Sequence, residues 1–259
     1  MYKAKKNLGQ NFLEDKVVLQ EIIDSIKPHT EDDFLEIGPG KGSLTELIVG
    51  SVNTLNVVEL DRDLILGLKL LGHKKGNLTI HNENILDFKI DEISNSKKKL
   101  RVIGNLPYNI SSSIVLWSFN NQNKFKDMHY MFQKEFGQRL SSGTRSKSYG
   151  RLSVLTQYMT KVSSLFIVNP ESFKPVPAVK SIFIKLTPIA GRDIDSPTAK
   201  KLQEITQIAF SKRRKMLSKS YKDILGKEDF NYLNIESSQR PEDLTVEEFV
   251  RISDFLIEN

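Results

Sequence analysis

The chain begins with an amphipathic pattern and then alternates short apolar runs with helical ones. Within residues 17–26 the apolar positions 18, 19, 22, 23 and 26 have the spacing of one helix face. Apolar runs at 33–37, 54–59, 78–81 and 101–104 predict short buried strands, and helical patterns at 43–49, 64–71 and 112–119 lie between or after them. Strands that alternate with helices predict an α/β fold with a parallel, doubly wound sheet.

The second half of the chain is patterned differently. Residues 142–150 predict a flexible basic loop, and residues 179–186 alternate as a strand does. From residue 198 onward the pattern predicts helices only, including a basic helix over about 198–225 and a last helix over 246–257. We therefore expect two domains, an α/β domain over residues 1–190 and a small all-helical domain over residues 191–259.

Positive charge is concentrated in the predicted basic helix. The whole chain has a net charge of +6. Residues 200–225 carry eight lysines and arginines, Lys212, Arg213, Arg214 and Lys215 among them, against one glutamate and one aspartate. A segment that holds as much net charge as the entire protein indicates a polyanionic partner, although a charge run is more often only a solvated face.

Composition excludes several classes of protein. The chain has no cysteine, which excludes disulfides, thiolate zinc sites and a cysteine nucleophile. Its four histidines are scattered without the spacing of metal ligands, so we expect no metal. No apolar run is long enough for a membrane span, and the N-terminus lacks the apolar core of a secretory signal. We expect a cytoplasmic protein without a membrane partner.

A glycine-rich loop, Gly38-Pro-Gly-Lys-Gly42, separates the first predicted strand from a helix. A phosphate-binding P-loop needs serine or threonine after Gly-Lys, but Gly42 follows Lys41, which excludes it. A dinucleotide fingerprint needs a third glycine where Ser43 stands, which weakens that interpretation. Gly38, Gly40 and Gly42 fit the Gly-x-Gly-x-Gly loop of methyltransferases that use S-adenosylmethionine (SAM).

Glu59 ends the next predicted strand. A carboxylate at that position of a nucleotide-binding sheet accepts hydrogen bonds from ribose hydroxyls, although an exposed glutamate at a strand end is the plainer alternative. The glycine loop and Glu59 together predict an adenosine-containing ligand. They do not distinguish one such ligand from another.

The stretch Asn105-Leu106-Pro107-Tyr108 follows the strand at 101–104. Pro107 cannot donate to a sheet ladder, so strand pairing ends here and the Leu106 carbonyl can accept from a ligand. The Asn105 side-chain oxygen and the Leu106 carbonyl are two fixed acceptors for the hydrogens of an adenine amine, and Tyr108 can stack on the base. A plain turn into the next helix is the alternative interpretation of this stretch taken alone.

These motifs together resemble the ribosomal RNA adenine N6-dimethyltransferase family. The resemblance runs from residues 7–15, Asn-Leu-Gly-Gln-Asn-Phe-Leu-Glu-Asp, to the C-terminal helices. It implies a Rossmann-like SAM-dependent methyltransferase domain with a small helical RNA-binding domain. It further implies that the N-terminal stretch closes over SAM through Asn11 and Leu13, that Gly38, Glu59 and Asn105 contact the cofactor, and that Phe173 stacks on the target adenine.

The resemblance also indicates a branch of the family. Residues 105–111, 133–135, 149–154 and 210–215 resemble the branch that dimethylates two adjacent adenosines near the 3′ end of small-subunit (16S) rRNA, within a pre-30S particle. The antibiotic-resistance branch, which acts on large-subunit (23S) rRNA, more often has isoleucine where Leu106 stands. A non-catalytic RNA-binding assembly factor and a DNA adenine methyltransferase are two further possibilities. We expect a monomer.

One position departs from the family pattern. After the third strand the family has an aspartate that contacts the adenine amine of the cofactor, and Asn84 stands there in this sequence. Asn84 can still accept through its side-chain oxygen. If the loop bulges, the contact belongs instead to Asp87.

Overall fold

A computed structural model describes residues 4–5, 8–75, 77–94 and 98–259, with residues 74 and 75 described by their backbone only. Asn7, the first residue of the N-terminal motif, lies outside the described residues. The chain forms two units. The first, called the N-terminal unit, consists of Met1–Gly137 and Ser163–Pro188, and the second unit consists of Gln138–Val162 and Ile189–Asn259. The boundary predicted at residue 190 lies next to the last of these segments. Gln138–Val162, which the sequence division placed in the first domain, belongs to the second unit.

The described strands are β1 Phe12–Leu13, β2 Asp33–Ile37, β3 Thr54–Val58, β4 Leu78–His81, β5 Leu100–Asn105, β6 Phe125–Gln133, β7 Thr160–Val168, β8 Phe173–Lys174 and β9 Ser181–Pro188. The described helices are α1 Lys16–Ile26, α2 Ser43–Ile48, α3 Arg62–Lys75, α4 Ser111–Asn120, α5 Lys134–Leu140, α6 Arg151–Met159, α7 Pro197–Ser211, α8 Leu217–Ser220, α9 Lys227–Tyr232 and α10 Val246–Glu258.

The central sheet confirms the predicted fold class. Over the described residues its strand order is β4-β3-β2-β5-β6-β9-β7. Strands β4, β3, β2, β5 and β6 are parallel, and β9 is antiparallel to β6. Chain order reverses between β2 and β5, since β3 and β4 follow β2 on one side and β5 lies on the other. Such a switch point, at the carboxyl ends of the strands, is where open α/β sheets bind ligands.

The strands are buried because both faces of the sheet are covered. Phe34, Leu35, Val57 and Val102 have no exposed surface, and their apolar runs are continuous rather than alternating, as expected for parallel strands in a core. Helix α1 buries Leu19, Ile22 and Ile26 through its predicted apolar face. The Asp15 side chain caps α1 by accepting from the backbone amides of Val17 and Val18.

A buried ion cluster lies at the amino ends of the parallel strands, which is the edge opposite the switch point. The Arg101 guanidinium donates to both carboxylate oxygens of Asp127, at 2.9 and 3.1 Å, and to Asp32 at 2.8 Å. It also donates to the backbone carbonyl of Ile26 at 2.7 Å. This arginine is the buried countercharge of both carboxylates, and each has a second, more exposed partner: Lys126 lies 3.2 Å from Asp32 and Lys185 lies 3.6 Å from Asp127.

In the second unit, helices α6, α7 and α10 pack together. The predicted continuous basic helix over 198–225 is wrong, because α7 ends at Ser211 and Lys212–Lys215 form a turn. The backbone amides of Leu217 and Ser218 donate to the carbonyls of Gln239 and Ser237, at 2.8 and 3.0 Å, rather than to an extended α7. Tertiary hydrogen bonds thus override a sequence that lacks any helix breaker there.

Among the residues described, no helix is long and apolar enough to span a membrane.

Candidate active site

A pocket in the N-terminal unit lies at the switch point of the sheet. Its lining includes Asn11, Leu13, Gly38, Gly40, Glu59, Asn84, Asn105, Leu106, Pro107 and Tyr108. All but one of the predicted cofactor-site and catalytic residues therefore surround one cavity. The exception is Phe173.

The glycine loop after β2 approaches the cavity with an open backbone at Gly38. This residue has φ +64°, and a Cβ added to it would meet no other described atom within 4 Å. Gly40, in contrast, is needed for packing, because a Cβ there would lie 2.9 Å from the Phe12 ring. Gly38 thus leaves room for a ligand to approach the main chain, whereas Gly40 lets the N-terminal segment pack closely.

Glu59, just after β3, is held in place by backbone amides. Its Oε2 accepts from the Gly40 amide at 3.0 Å and its Oε1 from the Asp61 amide at 2.8 Å. The residue is only 6 % exposed, and burial raises the pKa of its carboxyl above the ordinary value. Each carboxylate oxygen retains a lone pair for a further donor, as the predicted ribose contact requires.

Glu36 also lines the pocket, although no sequence motif includes it. It lies in β2, is 2 % exposed, and accepts at Oε2 from the Thr45 hydroxyl at 2.7 Å. Burial raises the pKa of its carboxyl to about 7, with the nearby Glu59 carboxylate adding to the rise and the Thr45 hydrogen bond opposing it. The sequence signal for such a residue is a charged side chain within the otherwise apolar, buried part of β2. The pocket therefore contains two buried carboxyl groups, which in their ionised form favour a ligand with positive charge.

Asn105 ends β5 with a defined side-chain orientation. Its Nδ2 donates to the backbone carbonyl of Asn11 at 2.8 Å. Because a carbonyl only accepts, this bond identifies the nitrogen of the Asn105 amide. The oxygen, Oδ1, is then the end that can accept a hydrogen bond. The backbone amide of the next residue, Leu106, donates to the backbone carbonyl of Met131 at 3.3 Å, where the pairing of β5 with β6 ends.

Tyr108 is positioned by a hydrogen bond at its far end. Its hydroxyl lies 2.7 Å from the Ser181 hydroxyl at the start of β9. Burial raises the pKa of the Tyr108 phenol, and the bond to Ser181 partly opposes that rise. The ring borders the pocket with its phenol end fixed, which suits a stacking role.

The N-terminal segment is fastened beside Glu59 through Asp61. Lys5 Nζ lies 2.6 Å from Asp61 Oδ1, and Gln10 Nε2 donates to Asp61 Oδ2 at 2.8 Å. Hydrogen bonding to Asp61 and Asp63 raises the pKa of the Lys5 ammonium. Together with the Asn11 carbonyl bond, these contacts place the segment along the pocket.

Phe173 is not brought to the pocket. It is completely buried, its strand β8 pairs with β1 so that Phe173 lies opposite Leu13, and it belongs to a cluster that includes Leu19 and Ile22. Pairing with β1 draws the ring into this apolar cluster, whereas stacking on a base requires an accessible ring face. Its predicted role stays a prediction that this arrangement does not support.

Asn84 borders the pocket, and Asp87 is not among the described residues that line it. The Asn84 side chain accepts from the Leu86 amide at 3.2 Å and donates to the Asp87 carboxylate at 2.9 Å. Its oxygen therefore has one lone pair left for a ligand. Of the two residues considered for the adenine contact, Asn84 is therefore the one that borders the pocket.

The predicted RNA-binding residues lie in the second unit and differ among themselves. Lys212, Arg214 and Lys215 are exposed in the turn after α7. Arg213 is half-buried, and its guanidinium is bonded to Glu242 at 2.8 Å and to the backbone carbonyls of Lys147 and Ser146 at 2.7 and 3.0 Å. Three of the four cations are thus accessible to a partner.

The sheet order, the open glycine at Gly38 and the acid after β3 define a Rossmann-like methyltransferase domain. The chain belongs to the ribosomal RNA adenine dimethylase family, whose model matches residues 1–258. Within the residues described, no group of three or more His, Cys, Asp or Glu side chains has the arrangement of a metal site.

Several relatives are similar over almost their full length. Ribosomal RNA small subunit methyltransferase A of Marinomonas sp. (strain MWYL1) is 43% identical over 256 residues, covering 99% of this chain and 96% of the relative. The protein of the same name from Coxiella burnetii is 40% identical over 255 residues, covering 97% of each.

Solved structures share the fold. A dimethyladenosine transferase from Plasmodium falciparum superposes with a TM-score of 0.80 at 23% identity, covering 93% of this chain and 95% of its own. The 23S rRNA methyltransferase ErmE superposes with a TM-score of 0.72 at 21% identity, covering 95% and 100%.

Proposed function

We propose that this protein transfers methyl groups from SAM to N6 of two adjacent adenosines near the 3′ end of small-subunit (16S) rRNA, two to each base. Its substrate is the rRNA within a pre-30S particle, and it acts in the cytoplasm as a monomer. Full-length similarity to relatives named as small subunit methyltransferases supports this branch. ErmE, at 21% identity, supports only the fold.

The observation that carries the proposal is the orientation of Asn105. Because Nδ2 is engaged by the Asn11 carbonyl at 2.8 Å, Oδ1 is left to accept from an amine in the pocket. An adenine amine is a poor nucleophile, since its lone pair is delocalised into the ring. Hydrogen bonds from its two N–H groups to Asn105 Oδ1 and the Leu106 carbonyl favour a pyramidal nitrogen with its lone pair free to attack.

The pocket residues fit SAM as the cofactor. Gly38 offers open main chain, Glu59 offers acceptors for ribose hydroxyls, and Asn84 offers an acceptor for the adenine amine. Asn11 and Leu13 border the ligand from the N-terminal segment. When bound, SAM supplies a methyl group activated by a positively charged sulfonium, a charge that the carboxylate of Glu59 and the ionised form of Glu36 favour.

The remaining catalytic work is positioning. The Leu106–Pro107 step is rigid, so the two acceptors need little ordering when substrate binds. Stacking of the target base on Tyr108 contributes roughly 1–3 kcal/mol. After methyl transfer the nitrogen loses its proton to water. Catalysis then rests on orientation and electrostatics rather than on a general base.

The exposed cations Lys212, Arg214 and Lys215 supply affinity for rRNA phosphates. Phosphate contacts carry much of the binding energy and little of the sequence information. In this proposal the N-terminal unit recognises the target base, and the second unit binds phosphates.

The test is methyl transfer by Asn105→Ala to small-subunit particles that lack these methyl groups. We expect turnover to fall by about 100-fold or more, the usual effect of removing one preorganised hydrogen-bonding group, while particle binding persists. Asn231→Ala, a change at an exposed asparagine of α9, is the matched control and should keep wild-type turnover. Near-wild-type turnover by Asn105→Ala would disprove the assignment.

A further inference from the structure

A basic loop and a basic turn are joined in the second unit. The loop spans residues 142–149 and exposes Arg145 and Lys147, and the turn spans residues 212–215. Among the residues described, Lys147, Lys212, Arg214 and Lys215 take part in no ion pair, so their charges are not neutralised by neighbouring acids. Free, exposed cations on two adjoining segments are the pattern of a surface that binds a polyanion.

Arg213 is the residue that joins the two segments. Its Nη1 and Nη2 donate to the carbonyls of Lys147 and Ser146 in the loop, at 2.7 and 3.0 Å, and its Nε donates to Glu242 at 2.8 Å. The planar guanidinium binds three acceptors in fixed directions, which the ammonium of a lysine cannot reproduce. Arg213 therefore fixes the loop backbone next to the residues that flank Arg213 in sequence.

The loop itself is ordered by further contacts. The Arg145 amide donates to the Glu242 carbonyl at 2.7 Å, and Arg145 adopts a left-handed conformation with φ +62°. The hydroxyl of Ser142 lies 2.7 Å from that of Ser148, and the buried Tyr149 donates to the Leu244 carbonyl at 2.9 Å. The expected flexible loop is thus tied to the turn before α10. A preorganised loop loses less conformational entropy when it binds.

We propose that loop 142–149 and turn 212–215 form one surface that binds the phosphate backbone of RNA, and that Arg213 is a positioning residue rather than a phosphate ligand. This inference deepens the proposed function and rests on it for the identity of the polyanion. Lys147, Lys212, Arg214 and Lys215 contact phosphates, and Arg213 keeps Lys147 in reach of the same strand. RNA is the partner because exposed cations on two adjoining segments suit successive phosphates of one strand.

The experiment measures the affinity of the full-length protein for a fluorescent hairpin RNA across a range of salt concentrations. Lys147→Gln should lower the slope of log affinity against log salt by up to about one, the loss of one phosphate contact. Arg213→Lys should weaken binding at least as much although it preserves the charge. In the Lys147→Gln background, Arg213→Lys should add little, because both changes remove the same loop contact.

Lys200→Gln is the matched control for loss of one exposed charge. Lys200 lies in the first turn of α7, about 18 Å along the helix from Lys212, and pairs with Asp195 at 3.3 Å. Lys200→Gln should leave the slope of log affinity against log salt unchanged. Wild-type binding by Arg213→Lys, additive losses in the double variant, or an unchanged slope for Lys147→Gln would each overturn the inference.

Two readouts separate this inference from the proposed function. Methyl transfer by the wild-type protein to small-subunit particles tests the reaction, and the salt slopes test the surface. If the wild type methylates the particles but the slopes do not change, the surface alone is wrong. Thermal unfolding of each variant distinguishes a local effect from loss of fold, and Lys147→Gln alters an exposed side chain that should not affect folding.

Discussion

Glu36→Gln should gain stability relative to wild type as the pH rises through neutrality. Burial raises the pKa of the Glu36 carboxyl from 4.5 to about 7. In the unfolded chain the group loses its proton near its ordinary value, whereas in the folded protein it keeps the proton until about pH 7. Unfolding therefore releases a proton between these values, so the contribution of Glu36 to stability is complete below about pH 4.5 and is lost as pH rises through 7.

The size of the effect follows from the two pKa values. Each unit of difference corresponds to about 1.4 kcal/mol, so the full change is roughly 3 kcal/mol in the free energy of unfolding. Glutamine cannot titrate but can still accept from the Thr45 hydroxyl. The difference in stability between Glu36→Gln and wild type should therefore move in favour of the variant by roughly 3 kcal/mol between about pH 4 and pH 8.

Urea unfolding at a series of pH values measures this difference, because contributions from titrating groups that do not interact with Glu36 cancel between the two proteins. Thr45→Val provides an internal control. Since the Thr45 hydrogen bond opposes the raised pKa of Glu36, its removal should shift the loss of stability to higher pH. A difference between wild type and Glu36→Gln that does not vary with pH would refute the reasoning.

Two further predictions concern the cofactor contact and the buried ion cluster. Asn84→Ala should weaken SAM binding by about 1 kcal/mol in calorimetry, the usual scale for a neutral hydrogen bond, and Asp87→Ala should have a smaller effect because Asp87 does not line the pocket. The reverse order would assign the adenine contact to Asp87. Arg101→Met should lower the free energy of unfolding by about 3–5 kcal/mol, because two buried carboxylates lose their buried, hydrogen-bonded countercharge and keep only the more exposed Lys126 and Lys185. Lys126→Met, at an exposed partner of Asp32, should cost at most about 1 kcal/mol, and equal losses would contradict the distinction.

Local signals in the N-terminal half were sufficient to predict much of the fold. The apolar face of α1, the runs that became β2 to β5, and the glycine loop are each determined within a few neighbouring residues. Gly38, Glu59 and Asn105 each lie at the carboxyl end of a parallel strand, and because such ends share one edge of the sheet, these residues border one pocket, in agreement with the cofactor contacts that the family resemblance implied.

Features that depend on distant partners were not predicted. Strands β6 and β7 and helix α6 were not recognised, and the basic segment broke at Ser211 because Leu217 and Ser218 bond to residues 239 and 237. Likewise, the burial of Phe173 depends on pairing between β1 and β8, which are far apart in sequence. The raised pKa of Glu36 depends on its neighbours in space. Such long-range contacts leave no periodic pattern in the sequence.

The central claim is tested most directly by incubating the protein with methyl-labelled SAM and with ribosomal particles from cells that lack these methyl groups. We predict label in small-subunit particles alone, recovered after digestion as N6,N6-dimethyladenosine at two adjacent positions near the 3′ end of the rRNA. Large-subunit particles and duplex DNA should stay unlabelled. Label in either of those substrates, or none in small-subunit particles, would contradict the account.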